Sequence, residues 1–306
     1  MNIYNPGTKM PTYSPLWSNA DLELPRDRAT MNAWARSAYV LDPDINRTIN
    51  QHVLLIAGAY ELIDSKSHKA NQLCSQQLEA IKISELIDQV IREYFILGET
   101  FIYLELDEKN AMWSRAIIQN PDYIIVKRSV TGDVSDSKYF LRPDENLRRI
   151  CFSNRPEDIA IRNLLSSGII ETVRKGENIQ LDSFHLFHLI HKFSPYEIRG
   201  TSFIVPLFWI LKTPGFPTMQ LEERQLIRQT LWDITAFDKQ NVAKDVLFQR
   251  YSLLIEGLEF WLNQKLLAPI AKLNSLYTEI KGEKTLTYPQ VRFNMTKLKR
   301  TINKIK

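Results

Sequence analysis

The sequence predicts an α+β fold in which long helices surround a modest mixed or antiparallel sheet. Three observations support this: apolar residues recur at helical spacing in the first third, β-rich segments occupy the middle, and amphipathic helical segments return in the last third. With 306 residues, 44% of them hydrophobic and 24% charged, the chain has ordinary globular composition and enough length for one large or two modest domains.

The strongest helix signals lie in the first hundred residues. Apolar residues recur at helical spacing in 26–40. Asp42 followed by Pro43 predicts the start of a second helix, because an aspartate caps free amides and proline suits the first turn. A third helix is predicted at 84–97, and Gly98 is predicted to end it in the left-handed conformation.

The middle of the chain favours strands. Runs of β-branched and aromatic residues predict strands at 100–106, 123–127, 138–142, 179–181 and 184–192, with a short helix at 158–166. Helical periodicity returns at 219–237 and 242–277. Pro269 is predicted to kink the second of these helices, because proline has no amide hydrogen to donate.

Positive charge is concentrated near the end of the sequence. The net charge is +4, and 281–306 holds eight Lys and Arg residues against one acid, so the rest is slightly acidic. A basic tail on a near-neutral body suits contact with a polyanion, and a solvated, poorly ordered terminus is the plainer alternative. The candidate contacts are Lys297, Lys299, Arg300, Lys304 and Lys306.

No pattern in the sequence indicates an enzyme. The glycine-rich nucleotide motifs, the GxSxG elbow and the HExxH motif are all missing from it. On a strand, His185 and His191 share a face while His188 points away, so the three cannot bind one metal together without a helix or a bend. Cys74 and Cys151 lack metal-ligand spacing. We expect no catalytic site, no metal and no cofactor.

Membrane and export signals are also not found in the sequence. Residues 1–15 are polar and rich in Pro and Gly, without the apolar segment of a signal peptide. No apolar run reaches the roughly 18 residues that a membrane helix needs. Two cysteines do not form a disulfide framework, so we expect a reducing compartment and no membrane partner.

Four stretches, taken in order, resemble one known family. They are 24–43, the helix-to-strand unit 92–102, the segment 195–211 with Arg199-Gly200-Thr201-Ser202, and 250–271. Each is weak alone, and their order and spacing give the likeness its specificity. Together they are similar to the portal protein of tailed bacteriophages, and the resemblance covers most of the chain.

The resemblance implies a function and a set of partners. It implies a portal-like wing and a homo-oligomeric ring of about twelve subunits at one capsid vertex. Double-stranded DNA would pass through the ring, which would contact capsid protein, the packaging terminase, and neck or tail proteins. The implied role is that of a structural subunit, used in genome packaging, head-tail joining and DNA ejection. The implied location is the virion, after assembly in the host cytoplasm.

The sequence departs from the family pattern after residue 212. A portal chain continues there through a long stem helix, a clip domain and a returning stem helix. Here 213–218 would span at most roughly 20 Å before a clip-like helix, so the stem and clip region is reduced or incompletely represented. The division expected is an N-terminal arm at 1–23, an α+β wing or core domain at 24–212, a clip-like segment at 213–237, a long wing-like helix at 238–280 and a basic tail at 281–306.

Four residues are candidates for a subunit interface: Trp34, Arg36, Glu99 and Arg199. Arg199, presented at a tight turn, could bridge to carboxylates of the next subunit, and an intrachain ion pair is the alternative. Trp34 and Arg36 form either an interface pair or a cation–π contact within the domain.

Two other functions stay open on the sequence. A soluble nucleic-acid-binding protein would use the basic C-terminal tail, and it would lose binding when 297–306 is removed. An unrecognised enzyme would need a cleft of titratable groups with perturbed pKa values, and the sequence offers no candidate set.

Overall fold

The computed structural model describes residues 27–128, 137–192, 197–205, 241–280 and 283–304, without the side chains of 241–250, 279–280, 283 and 303–304. The predicted arm, the predicted clip-like helix at 213–237 and Lys306 lie outside these residues. The division of the chain into five segments stays a prediction.

The described chain begins with two consecutive helices, α1 (Arg28–Leu41) and α2 (Pro43–Ala57). The side chain of Asp42 accepts hydrogen bonds from the first amides of α2, as its position before Pro43 predicts. Strand β1 (Tyr60–Ile63) follows, and then helices α3 (His68–Ala80) and α4 (Ile83–Leu97).

After α4, the middle region consists of four strands and then three helices. Their bounds are β2 (Glu99–Asp107), β3 (Met112–Gln119), β4 (Ile124–Lys127), β5 (Lys138–Leu141), α5 (Glu145–Phe152), α6 (Pro156–Arg162) and α7 (Ser167–Arg174). Two further strands, β6 (Ile179–Leu181) and β7 (Leu186–Ile190), complete the region. The predicted strands are thus present, and the predicted short helix occupies 156–162.

The last described part is helical and then extended. Its elements are α8 (Asn241–Phe260), a π-helical segment (Trp261–Leu267), α9 (Ala268–Leu273), β8 (Tyr277–Ile280), β9 (Glu283–Leu286), β10 (Gln290–Phe293) and α10 (Met295–Lys304). The change of helical repeat lies just before Pro269: the amide of Ala268 donates to the carbonyl of Asn263, five residues back.

Strand pairing is antiparallel throughout the described residues. The sheets have the orders β3–β2–β7, β4–β5–β6, β1–β10 and β8–β9. The α+β class is therefore confirmed. The middle region differs from the single modest sheet that the sequence predicts, because β4, β5 and β6 pair among themselves and form a second three-stranded sheet.

The basic segment at 281–306 is part of the fold. Strand β10 pairs with β1, and the side chains of Val291, Phe293, Leu298 and Ile302 are buried in the main core. The alternative of a poorly ordered terminus is thus wrong for the described residues of this segment. The sequence does not reveal β10 and α10, because β10 is only four residues long and α10 has few apolar residues among its Lys and Arg side chains.

Helix α4 lies at the centre of the main core, where it contacts α1, α2, α3 and β2. The side chains of Ile87, Val90 and Ile91 are at most 1% exposed. Burying each of them stabilises the fold by roughly 1.5–3 kcal/mol. The apolar stripe on α4 that predicts this helix also determines which of its faces the other elements cover.

Two buried amide side chains bind the backbone next to strand edges in the core. Gln77 of α3 accepts from the amide of Trp113 at 2.8 Å and donates to its carbonyl at 3.0 Å. Asn263 binds the amide and carbonyl of Val291 in the same way, at 2.8 and 2.9 Å. Each amide completes the hydrogen bonding of a buried backbone that would otherwise be unpaired.

Candidate functional site

A buried ionic cluster forms where α4 ends and β2 begins. The Glu99 side chain is 0% exposed and meets Arg199 in a bidentate pair, with Nη2 2.5 Å from Oε1 and Nε 2.9 Å from both oxygens. His188 Nε2 lies 3.1 Å from Oε2, and the amide of Gly200 donates to the same oxygen at 2.8 Å. The carboxylate is therefore fully occupied by donors from two other segments.

Arg199 ties this cluster to the second sheet. Its Nη1 donates to the carbonyl of Ile124 at 2.9 Å, and its Nη2 donates to the carbonyl of Pro121 at 3.0 Å. Arg28, at the start of α1, donates to the carbonyl of Gly200. A planar guanidinium suits this role, because it presents several donors in fixed directions.

Two glycines let the backbones of 98–99 and 200–202 touch. Gly98 has φ +77°, and a Cβ built on it would lie 2.2 Å from the backbone carbon of Thr201. A Cβ on Gly200 would lie 2.0 Å from the carbonyl oxygen of Gly98. The prediction that Gly98 ends α4 in the left-handed conformation is confirmed, and the tertiary contact adds a second reason for glycine there.

The electrostatics of the cluster favour an ionised carboxylate and a neutral imidazole. Burial opposes ionisation of Glu99, but the Arg199 guanidinium and the hydrogen bonds from His188 and Arg199 outweigh it and hold the pKa of Glu99 well below its usual range. Burial lowers the pKa of His188 below its ordinary value of 6.5, although its bond to Glu99 acts in the opposite direction.

Stability is expected to fall in two steps as the solution is acidified. The unfolded chain protonates His188 from about pH 6.5 and Glu99 from about pH 4.3, whereas both folded pKa values are lower, so the unfolded state takes up protons first. Stability is thus fully present above these values and is lost as the pH falls through them. The measurement is urea unfolding at a series of pH values between about 7.5 and 3.5.

Matched variants assign each step. Glu99→Gln is expected to remove the step near pH 4.3, and His188→Phe the step near pH 6.5. Glu105→Gln, which removes a partly exposed carboxylate, serves as the control and is expected to keep both steps. Identical pH profiles for the natural chain and Glu99→Gln would contradict the role given to this carboxylate.

The four candidate interface residues are Glu99 and Arg199, which lie in the buried cluster, and Trp34 and Arg36, which lie on α1. Arg199 and Glu99 pair within the chain, which is the alternative that the sequence leaves open. Arg36 Nη1 lies 2.7 Å from Asp122 Oδ2, so it also pairs within the chain. Trp34 packs, partly buried, against the main core. Their assignment to a subunit interface stays a prediction.

The candidate polyanion contacts are brought together by α10. Lys297, Lys299 and Arg300 are exposed on this helix, whose bounds include Lys304. Beside it lies a concavity of about 340 Å³ lined by Asn294, Thr296, Lys297, Arg300 and Thr301. The sequence predicts the basic character of this segment but not its helical form.

The three histidines of the β7 region do not converge. His185 Nδ1 lies 2.8 Å from the carbonyl oxygen of Leu104, and His191 Nδ1 lies 2.9 Å from that of Thr201, while His188 binds Glu99. Within the described residues, no group of three or more His, Cys, Asp or Glu side chains is placed to hold a metal ion.

The cysteines and the helices add two further observations. Both Cys74 and Cys151 are buried, and burial raises the pKa of the Cys74 thiol to about 11, which keeps it protonated at neutral pH. Of the helices in the described ranges, none is long and apolar enough to cross a membrane.

Sequence reasoning missed two members of the cluster. Arg28 and His188 reach it from different parts of the chain, and no local pattern marks a partner that is remote in sequence. The one sequence signal for such a residue is a charged side chain next to a strongly apolar segment. Glu99 is an example, because it follows α4, which has nine buried residues.

Comparison with known protein families finds no match, and no curated protein sequence matches the chain. Among solved structures, the chain is similar to one from the "Virion of native gene transfer agent (GTA) particle", with 11% sequence identity and a TM-score of 0.38. The likeness covers 91% of this chain and 67% of that chain. A TM-score this low supports no conclusion about function.

Proposed function

We propose that the chain is a structural subunit of a viral portal ring, which forms the DNA channel at one capsid vertex. The observation that carries the proposal is that three of the portal-like stretches meet at one site. Arg28 of the first stretch, Glu99 of the second and Arg199 with Gly200 of the third share one buried cluster. The residues that carry the resemblance are thus the residues that join the elements of this fold.

The fourth portal-like stretch supports the same proposal. It comprises the end of α8, the π-helical segment and the start of α9, and it contributes Leu258, Leu262 and Leu266 to the main core, each 0% exposed. Tyr251 at its start contacts His52 of α2. All four stretches therefore take part in one packed unit, which favours a common structural role over four chance matches.

The cluster suits a subunit that keeps its shape while DNA moves past it. A bidentate guanidinium–carboxylate pair fixes the relative position of two segments in direction as well as in distance. In the proposed ring, Glu99 is completely buried and acts through Arg199, and the exposed fraction of Arg36, 35%, is available to a neighbour. The slightly acidic body would give few strong phosphate contacts to passing DNA.

The proposal includes partners and a location. The ring would contact capsid protein, the packaging terminase, and neck or tail proteins, and it would serve genome packaging, head-tail joining and DNA ejection. Its place would be the virion after assembly in the host cytoplasm. The role is not enzymatic: energy for DNA movement would come from the terminase.

The mass of the purified assembly tests this function. Native mass spectrometry is expected to give a closed ring of about twelve copies of the 35.7 kDa chain. Negative-stain images at low and high salt are expected to show a central hole. A monomer at high protein concentration would contradict the portal proposal.

The second candidate, a soluble nucleic-acid-binding protein, is favoured by the basic residues of α10. It is distinguished by the same measurement, because it predicts a monomer or dimer that still binds DNA. Loss of that binding on removal of 297–306 would assign it to the basic segment.

A further inference from the structure

Helix α10 is fixed to the fold along one side. Leu298 and Ile302, four residues apart, are each 1% exposed and belong to the main core. Asn294 caps the helix by accepting from the amide of Lys297 at 2.9 Å, and it also donates to the carboxylate of Glu61 at 3.2 Å. The direction in which the helix presents its other side is therefore set by the core.

The side opposite Leu298 and Ile302 is basic. Lys297 and Arg300 are three residues apart and lie on one face of the helix, and Thr301, four residues after Lys297, lies beside Lys297 on the next turn. Met295–Lys304 contains no acidic residue. Both cations line the concavity of about 340 Å³ beside the helix, together with Asn294 and Thr296, so every lining side chain is polar and none is a carboxylate.

We infer that this basic face of α10 binds the backbone phosphates of double-stranded DNA. The inference rests on the proposed function, which supplies DNA as the ligand, and it names the contact surface. Ammonium, guanidinium and threonine hydroxyl groups are typical donors to phosphate oxygens. Such contacts carry no sequence information, as a channel for any genome requires.

Two other ligands fit this face less well. An amphipathic helix that lies on a membrane needs an apolar face for the lipid, and here that face, with Leu298 and Ile302, is buried in the core. Single-stranded nucleic acid needs aromatic side chains on which bases stack, and the lining residues include none. The duplex backbone requires only fixed positive charge.

The test is the salt dependence of DNA binding by the full chain. The variant Lys297→Gln/Arg300→Gln is compared with Lys69→Gln/Lys272→Gln, which removes two exposed positive charges from α3 and α9. The probe is a fluorescent duplex of about 20 base pairs, read by anisotropy. Loss of two phosphate contacts is expected to reduce the slope of log K against log salt by about 1.8 and to weaken binding on the order of tenfold at low salt.

The control variant is expected to keep the slope of the natural chain. The inference is wrong if the α10 variant keeps that slope, or if the control loses as much.

The mass of each variant separates this inference from the proposed function. A ring of unchanged mass that loses DNA affinity supports both. A monomer that loses affinity only with the α10 substitutions contradicts the portal ring and supports the DNA contact. A ring that keeps its affinity in both variants supports the portal proposal and overturns the inference.

Discussion

Replacing Gly200 by alanine is expected to lower the free energy of unfolding by about 3–5 kcal/mol, or to prevent folding. A Cβ at this position would lie 2.0 Å from the carbonyl oxygen of Gly98 and 2.5 Å from its carbonyl carbon. Both are backbone atoms, so no change of rotamer relieves the overlap. The segment around Arg199 would have to move away from Glu99 and open the buried ion pair.

Three other glycines provide controls for this result. Gly168 lies in α7 with open space around it, so Gly168→Ala is expected to stabilise the helix by roughly 0.5–1 kcal/mol. Gly98 and Gly176 have similar φ values, +77° and +74°, but only Gly98 has close neighbours. Gly176→Ala is expected to cost about 1–2 kcal/mol from conformation alone, and Gly98→Ala clearly more.

The measurement is urea-induced unfolding of each variant, followed by circular dichroism. The difference between Gly98→Ala and Gly176→Ala isolates the contribution of the tertiary contact. If Gly200→Ala unfolds at the same urea concentration as Gly168→Ala, the close approach of the two backbones does not exist in solution.

Glu99→Gln is expected to lower the free energy of unfolding at neutral pH by about 3–5 kcal/mol. The substitution keeps the size of the side chain but removes its charge, which leaves the guanidinium of Arg199 with neutral acceptors only, the new amide oxygen and the carbonyls of Ile124 and Pro121. It also places an amide group where Arg199, His188 or the Gly200 amide now donates, so at least one donor loses its acceptor.

Glu105→Gln is the matched control for this effect. Glu105 pairs with Arg115 at 2.8 Å, but the two side chains are 35% and 70% exposed, so their loss is expected to cost at most about 1 kcal/mol. The double variant Glu99→Leu/Arg199→Met is expected to recover part of the stability lost in Glu99→Gln, because no unpaired buried charge remains. If Glu99→Gln and Glu105→Gln lower the free energy of unfolding equally, the buried ion pair stabilises the fold no more than the more exposed one.

Both predictions concern the same junction. The glycine contact brings 200–202 against the end of α4, and the ion pair fixes that position in direction. Ser202 Oγ donates to the carbonyl of Ile96 and adds a third link. A change at any of these positions is therefore expected to act on the others, and the effects of paired substitutions should not be additive.

Local patterns in the sequence determined much of the secondary structure. Asp42 before Pro43 starts α2, and Gly98 ends α4, because a cap and a left-handed turn depend on one or two residues. Alternating β-rich runs predict β2, β4, β5 and β7, because the period of two belongs to the strand itself. The net charge of 281–306 is likewise a property of the sequence alone.

The tertiary structure alone decided what these elements contact. The sequence contains Glu99, His188 and Arg199 but gives no sign that they meet, because the partners are about ninety or a hundred residues apart. It also gives no sign that β10 pairs with β1 or that α10 turns Leu298 inward and Lys297 outward. Secondary structure follows from interactions between near neighbours in the chain, whereas a buried ion pair, a strand partner and the exposed side of a helix follow from which distant segments pack together.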